Sequence, residues 1–189
     1  MLNGLKIPSV LSLIFVGCIT VCSVFTFACN SEPENRSVAG RNIEIHTGFP
    51  LIVDSAFYMG KDGKARVITP SASNRQLVVM KPTAVNRTST VIPLLVDTEA
   101  AKIGDRRSRR FPAVDPIAKA RVISTVLEES PTVKDISPIL WGDVELARQT
   151  QVEGYMVFDV PKGVILGTLF WDEIEYIPID FIDYWKKRD

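Results

Sequence analysis

The sequence predicts an all-β chain, a β-sandwich with one inserted helix, preceded by an N-terminal hydrophobic leader. From residue 42 onward, short runs rich in β-branched and aromatic residues alternate with clusters of turn residues. One segment, 116–130, carries its apolar residues at helical spacing instead. Ahead of both, Ile7 to Cys29 is an uninterrupted run of 23 uncharged residues.

The leader, residues 1–29, has the length and the charge bias of a membrane segment. At about 1.5 Å of rise per residue, a helix of this length would cross a bilayer core of roughly 30 Å. Lys6 precedes the run, whereas Glu32 and Glu34 follow it. The positive-inside rule therefore predicts a cytoplasmic N-terminus and export of everything after Cys29.

Cys29 is the predicted site of lipid attachment. Residues 26–29, TFAC, resemble a bacterial lipobox, with a small residue before the cysteine and a polar segment after it. The length of the run favours an uncleaved anchor instead, and ordinary secretion is the third interpretation. Cys18 ends a similar motif, but cleavage there would leave an apolar stretch on the mature chain. Because all three cysteines lie at or before position 29, the exported part would fold without a disulfide.

Residues 30–41, NSEPENRSVAGR, are polar and predict a flexible tether ahead of a domain at 42–185. Predicted strands in the first half of this domain occupy 42–46, 50–59, 65–70, 76–86 and 91–99. Residues 60–64, GKDGK, are a strong turn signal between two of them. Pro82 interrupts the strand at 76–86, which indicates an edge position or a bulge.

The inserted helix is predicted to begin with Asp115 as its N-cap and Pro116 as its first residue. The residues at helical spacing behind them are Ile117, Ala120, Ile123 and Leu127. The dipeptide at 130–131, Ser-Pro, ends the predicted helix.

Three strands are predicted to complete the domain, at 153–161, 164–171 and 173–181. In the first, Met156, Phe158 and Val160 lie on one face, and the alternate residues lie on the other. Pro178 predicts a bulge in the last of them.

Four arginines lie in the segment 104–110, GDRRSRR. They are Arg106, Arg107, Arg109 and Arg110. Since the guanidinium fork matches phosphate and carboxylate groups, this loop is the candidate site for an anionic partner, either lipid head groups or an acidic wall polymer. The segment follows a strand and precedes Phe111-Pro112, a context that favours an ordinary solvated loop over such a site. The chain as a whole has 22 basic and 22 acidic residues, a balance that argues against a nucleic-acid-coating protein.

The sequence predicts no catalytic residue, no metal site and no cofactor. His46 is the only histidine, which leaves neither a zinc ligand set nor a Ser-His-Asp triad with a recognisable nucleophile motif. Carboxylates crowd near the C-terminus, at Asp172, Glu173, Glu175, Asp180 and Asp183. They would suit calcium or a paired-carboxylate hydrolase, or they are solvent-facing positions of a turn and a strand. Asn35 and Asn86 begin N-x-S/T glycosylation motifs.

Two motifs resemble bacterial immunoglobulin-like lipoprotein domains of unknown function, which are related in fold to a secreted mycobacterial immunoprotective antigen. Residues 76–97 match a strand ending in Asn86, a Thr/Ser-rich connection, and a strand that closes on a Leu-x-Asp turn. Residues 151–163, QVEGYMVFDVPKG, match the second motif. Gly104, seven residues after Asp97, and the inserted helix depart from the family pattern. The resemblance implies an immunoglobulin-like sandwich with no established catalytic residues.

These features predict an exported, membrane-tethered, non-enzymatic domain with a binding or structural role in a bacterial cell envelope. The expected partners are the membrane, through the leader or an attached lipid, and an envelope protein or polymer. The loops at 60–64 and 104–112 would meet the latter. No nucleic acid is expected. The alternatives are an envelope hydrolase built from the C-terminal carboxylates and an accessory subunit of an envelope complex.

Overall fold

The computed structural model describes residues 36–181, and within this range the chain is all-β apart from one short helix, α1 at Pro116–Lys119. The strands are β1 Arg36–Ala39, β2 Ile43–Thr47, β3 Leu51–Val53, β4 Ser55–Met59, β5 Ala65–Ile68, β6 Arg75–Met80, β7 Thr83–Asn86, β8 Ile92–Val96, β9 Ala101–Asp105, β10 Arg110–Pro112, β11 Arg121–Val122, β12 Val133–Asp135, β13 Gly142–Leu146, β14 Gln151–Glu153, β15 Met156–Pro161, β16 Leu166–Trp171 and β17 Ile177–Asp180. The predicted all-β class is confirmed. Cys29, the leader and Asp183 lie outside the described residues.

The strands form five sheets. Four-stranded sheets have the orders β1-β2-β7-β14, β10-β9-β16-β17 and β11-β5-β4-β12, a central sheet has the order β15-β6-β3, and β13 pairs with β8. Only β12 and β4 pair in parallel among the named strands; the other ladders are antiparallel. No helix within residues 36–181 is long and apolar enough to cross a bilayer.

The central sheet is buried on both faces. Met156, Phe158 and Val160 of β15 belong to the larger hydrophobic cluster of the domain, which confirms their predicted shared face. Val157 lies on the opposite face and belongs to a second, smaller cluster together with Val79 of β6. The chain therefore has hydrophobic packing on each side of one sheet.

The smaller cluster is covered by the sheet that contains β4 and β5. Ala56 and Tyr58 of β4 pack into it with Ile68 of β5. The Tyr58 hydroxyl donates a 2.8 Å hydrogen bond to the Pro116 carbonyl, which attaches α1 to this sheet. Burial raises the pKa of the Tyr58 phenol, so the hydroxyl remains a donor at neutral pH.

The inserted helix begins as predicted but is much shorter. The Asp115 carboxylate accepts hydrogen bonds from the backbone amides of Ile117, at 2.8 Å, and Ala118, at 3.0 Å. The helix ends at Lys119, and Arg121–Val122 pairs with β5 instead. Two causes explain the error: Ile117 is 67% exposed, so the apolar stripe has no core to bind, and β-branched residues from Val122 onward favour the strand ladder.

Pro82 separates two strands where one was predicted. The segment 76–86 divides into β6, in the central sheet, and β7, which pairs with β2 and β14. Since proline cannot donate to a ladder, the chain changes sheet at this point.

Pro178 lies in a regular edge strand, so the predicted bulge is wrong at this position. β17 is the last strand of its sheet, and Pro178 pairs with Phe170 without a register shift. An exposed edge position does not need the missing N–H. The irregularity lies instead in β16, between Leu166 and Thr168.

The segment 36–39 differs from the predicted tether. Arg36–Ala39 forms β1 and pairs antiparallel with β2, Arg36 opposite Thr47 and Ala39 opposite Glu44. The sequence of this segment, RSVA, has no period-two alternation of polar and apolar residues that would indicate a strand, and none of its residues is fully buried.

Candidate functional site

The predicted arginine loop is the turn of the β9–β10 hairpin, and Asp105 organises it. The Asp105 carboxylate accepts hydrogen bonds from the backbone amides of Arg107 and Arg109, each at 2.9 Å. It also binds the Arg109 guanidinium, with distances of 2.7 Å to Nε and 2.6 Å to Nη2. Ser108, at the tip, has a φ of 63°. The turn is therefore held in one conformation by an acidic residue at its base.

Asp105 is ionised in this setting. Its side chain is 3% exposed, and this burial by itself would raise the pKa. The hydrogen bonds from Arg109 and Arg107 outweigh that cost and hold the pKa of the carboxyl below its ordinary value. The charge of Arg109 is consequently neutralised within the loop.

Asp105→Asn should lower the free energy of unfolding by about 1–2 kcal/mol, because the amide keeps the shape but loses the ion pair to Arg109. The contribution of the carboxylate is present at neutral pH and lost as the pH falls through its lowered pKa, so the difference from wild type should shrink in acid. Urea unfolding at pH 7 and in acid measures this. Asp143→Asn, on an exposed strand position, is the control; equal midpoints for both variants would contradict the assignment.

Arg110 also has partners. Its guanidinium carbon lies 3.8 Å from the centre of the Phe170 ring and 5.8 Å from that of Tyr176, and the two rings stack at 6.0 Å. Phe170 can lie close to the sheet because Gly104 has no side chain; a Cβ at that position would come within 2.6 Å of the ring. Arg110 is thus held by cation–π contact.

The remaining arginines border a cavity of about 320 Å³ between the hairpin turn and the turn that joins β15 to β16. We call this cavity the basic pocket. Its lining consists of Asp105, Arg106, Arg107, Arg109, Pro161, Lys162, Gly163, Val164 and Ile165. The Arg106 amide donates to the Ile165 carbonyl at 3.1 Å, which fastens the two turns together. The volume is at the lower end of the range for small-ligand sites.

Three cations of the basic pocket have no ion-pair partner among residues 36–181: Arg106, Arg107 and Lys162. Among the described residues that line the pocket, Asp105 is the only carboxylate, and it is already bound to Arg109. The pocket therefore carries uncompensated positive charge. The sequence predicted the arginines, but not Lys162, which is 55 positions away from Arg107 and reaches them only because β16 pairs with β9.

The other predicted loop, 60–64, borders a second cavity of about 530 Å³. Asp62 in this loop forms a bidentate pair with Arg66, at 2.6 and 2.9 Å, which lowers the Asp62 pKa. Met59 and Ile117 on its rim are 50% and 67% exposed. Its lining is more apolar, and its acidic residue is paired, so this cavity has no comparable excess of charge.

The C-terminal carboxylates bind separate parts of the fold. Asp172 contacts Lys102 at 3.3 Å, Glu173 accepts from the Leu95 amide at 3.0 Å, and Asp180 accepts from the Thr168 hydroxyl at 2.6 Å. Glu175 accepts from three backbone amides of the β1–β2 turn. Within residues 36–181, no group of three or more His, Cys, Asp or Glu side chains is placed to hold a metal ion.

His46 lies on β2 with its side chain 41% exposed, and its Nε2 is 3.1 Å from Glu44. The Ser37 hydroxyl on the neighbouring strand also donates to Glu44. A catalytic triad needs the histidine between the hydroxyl and the carboxylate, whereas here the carboxylate lies between the other two. The arrangement stabilises the β1–β2 pair and offers no activated nucleophile.

Asn86 has a structural role. It is 1% exposed, and its amide nitrogen donates to the carbonyls of Thr90, Leu146 and Ala147 at 2.7, 3.0 and 3.1 Å. Its oxygen accepts from the amide and the hydroxyl of Thr88, both at 2.8 Å. The glycosylation motif at Asn86 is consequently inaccessible in the folded chain, while Asn35 lies outside the described residues.

No protein-family model matches the chain, and no curated protein matches it. Among solved structures, it is similar to an uncharacterized β-sandwich protein from Clostridium difficile 630. That comparison has a TM-score of 0.44 and 6% sequence identity, and it covers 77% of this chain and 89% of the other.

Proposed function

We propose that the chain is an exported, membrane-tethered, non-enzymatic binding domain of a bacterial cell envelope, with an immunoglobulin-like β-sandwich fold. The binding role rests on one observation: Arg106, Arg107 and Lys162 line one pocket without a compensating carboxylate in the described part of the chain. A cluster of unpaired cations costs stability by mutual repulsion, and an anionic partner relieves it.

Export and tethering rest on the sequence of the leader. The 23 uncharged residues from Ile7 to Cys29 are followed by a polar segment, and a lipobox-like motif ends at Cys29. The cysteine distribution supports the same interpretation, since residues 30–189 contain none and could fold in an oxidising compartment without mispairing.

The hydrolase alternative has weaker support. Asp172 is paired with Lys102, and Glu175 accepts hydrogen bonds from three backbone amides, so neither is poised as a general acid or base. The other alternative, an accessory subunit of an envelope complex, shares the tether and the basic pocket and differs in having a protein as its partner.

Replacement of the lipid attachment site tests the tether. In cells of a lipoprotein-processing bacterium, we expect the N-terminal peptide of the mature chain to begin at Cys29 with the added mass of a diacylglyceryl group. Cys29→Ala should abolish that mass and the cleavage, whereas Cys22→Ala, within the leader, should leave both unchanged. Mass spectrometry of the peptide and fractionation of the cells measure the outcome.

If Cys29 is unmodified on a full-length, membrane-bound chain, the tether is an uncleaved membrane anchor and not an attached lipid. Recovery of the wild-type chain in the soluble cytosolic fraction would overturn the proposed function.

A further inference from the structure

The basic pocket and the start of the described chain both lie at one end of the β10-β9-β16-β17 sheet. Gly104, beside the arginine turn, is in register with Thr168, and Thr168 is in register with Asp180. The Arg36 side chain donates a 2.9 Å hydrogen bond to the Asp180 carbonyl. With neighbouring strands about 4.8 Å apart, the backbone at Gly104 lies about 10 Å from that at Asp180.

The position of Arg36 matters because the predicted lipid attachment site precedes it closely. Seven peptide units separate Cys29 from Arg36 and, even fully extended, they span at most roughly 25 Å. If Cys29 is attached to the membrane, as the proposed function requires, this short segment holds the Arg36 end of the domain near the lipid head groups. The basic pocket is then at the end of the domain closest to the bilayer.

We propose that the basic pocket binds the phosphate of an anionic lipid head group in the membrane that carries the tether, and that this contact fixes the orientation of the domain. This inference rests on the proposed tether. The guanidinium groups of Arg106 and Arg107 match phosphate oxygens bidentately, and Lys162 adds a point charge. Ile165, 47% exposed at the rim of the pocket, offers apolar surface beside the charges, as an amphiphile requires.

The lysines beside the second cavity, at the other end of β15, provide an internal control for this proposal. Pro161, the last residue of β15, lines the basic pocket, whereas Tyr155, next to its first residue, bridges to Ile139 in the lining of the second cavity. A six-residue strand separates the two cavities by about 20 Å. Lys61 and Lys64, in the loop beside the second cavity, should therefore point away from the membrane.

Lysine acylation of the full-length chain, purified from membranes and reconstituted, tests the proposal. One set of vesicles contains phosphatidylcholine alone, and the other contains phosphatidylcholine mixed with phosphatidylglycerol. A water-soluble acylating reagent is applied, and modification at each lysine is measured by mass spectrometry. We expect several-fold less modification of Lys162 in the anionic vesicles, with Lys61 and Lys64 unchanged.

Arg106→Gln/Arg107→Gln should restore modification of Lys162. Each basic residue near an anionic surface contributes roughly a fivefold preference, so two substitutions should remove most of the protection. Arg121→Gln/Arg148→Gln removes the same charge from exposed positions elsewhere and should leave the protection intact. Protection should also weaken as salt is added, because the screening length falls below about 8 Å above physiological ionic strength.

A third condition separates the sources of phosphate. Glycerol phosphate added to vesicles of phosphatidylcholine alone should leave Lys162 reactive; protection there would show that a soluble phosphate suffices and would overturn the assignment to lipid. Equal Lys162 modification in both kinds of vesicle, on a chain that is membrane-bound, would overturn this inference and leave the proposed tether standing. A chain that does not associate with vesicles at all would contradict the tether itself.

Discussion

Asn86→Asp should lower the free energy of unfolding by about 3 kcal/mol or more, one of the largest single-residue effects in the domain. In the native chain, three backbone carbonyls face the Asn86 amide nitrogen. The substitution replaces this donor by an oxygen in a nearly fully buried position. The carbonyls of Thr90 and Leu146 then lose their partner and repel the new carboxylate.

The defect should depend on pH in a definite direction. Burial against carbonyl groups raises the pKa of the introduced carboxyl above its unfolded value of about 3.9. The destabilisation is therefore greatest above the raised, folded-state pKa, and it shrinks as the pH falls through it, because the protonated acid can again donate one hydrogen bond. Urea unfolding followed by tryptophan fluorescence, to which the buried Trp171 contributes, measures this at neutral and acidic pH.

Asn74→Asp is the matched control, since Asn74 is exposed and the substitution makes the same chemical change. We expect its midpoint to stay within about 0.5 kcal/mol of wild type. A small, pH-independent effect at Asn86 would mean that the carbonyls find other donors, and it would remove the structural reason for an asparagine at this position.

Asn86 also illustrates what the sequence could reveal. The motif at 76–97 drew attention to Asn86 and to the turn at Asp97, and both prove to be hydrogen-bonding centres: the Asp97 carboxylate accepts from the amides of Glu99, at 2.8 Å, and Ala100, at 3.1 Å. Local turn chemistry of this kind is contained in a few adjacent residues, so sequence alone indicates it.

Features that depend on distant pairing were not predictable in the same way. The alternation in β15 indicated one buried face, but period-two patterning does not say what covers the other, and Val157 proved to be buried as well. Lys162 joins the arginine turn through the pairing of β16 with β9. The helix prediction failed for the related reason that residues spaced for a helix, such as Ile117, had no core to pack against.

The role of Glu175, one of the carboxylates near the C-terminus, likewise depends on tertiary structure. Its carboxylate accepts hydrogen bonds from the backbone amides of Arg41, Asn42 and Ile43, each at 2.8 Å. Burial opposes ionisation, but these three donors hold the Glu175 pKa below its ordinary value. A residue that resembled a catalytic or metal-binding acid thus fastens the turn between β1 and β2.

Glu175→Ala should lower the free energy of unfolding by about 2–3 kcal/mol, because the turn at 41–43 loses its acceptors, discounted for partial exposure to water. Gly40→Ala should produce a similar loss by a different route: a Cβ at this position would overlap the Glu175 carboxylate and displace it from the amides. Urea unfolding and hydrogen exchange at Arg41 to Ile43 measure both effects.

The double variant Gly40→Ala/Glu175→Ala provides the decisive comparison. Without the carboxylate, a methyl group at position 40 has nothing to displace, so the double variant should be about as stable as Glu175→Ala alone. Additive losses of stability would show instead that the backbone conformation at position 40 requires glycine. Glu128→Gln, at an exposed position, should be nearly neutral.

The stabilisation of the fold by the Glu175 carboxylate should also depend on pH. Because its folded-state pKa is depressed, the carboxylate stabilises the chain above its unfolded pKa of about 4.3, and this contribution is lost as the pH falls through the lower folded value. Wild type and Glu175→Ala should accordingly converge in stability in acid and differ fully at pH 7. Because Glu175 fastens the turn between β1 and β2, loss of this contact should release β1, and hydrogen exchange at β1 should rise before the rest of the fold opens.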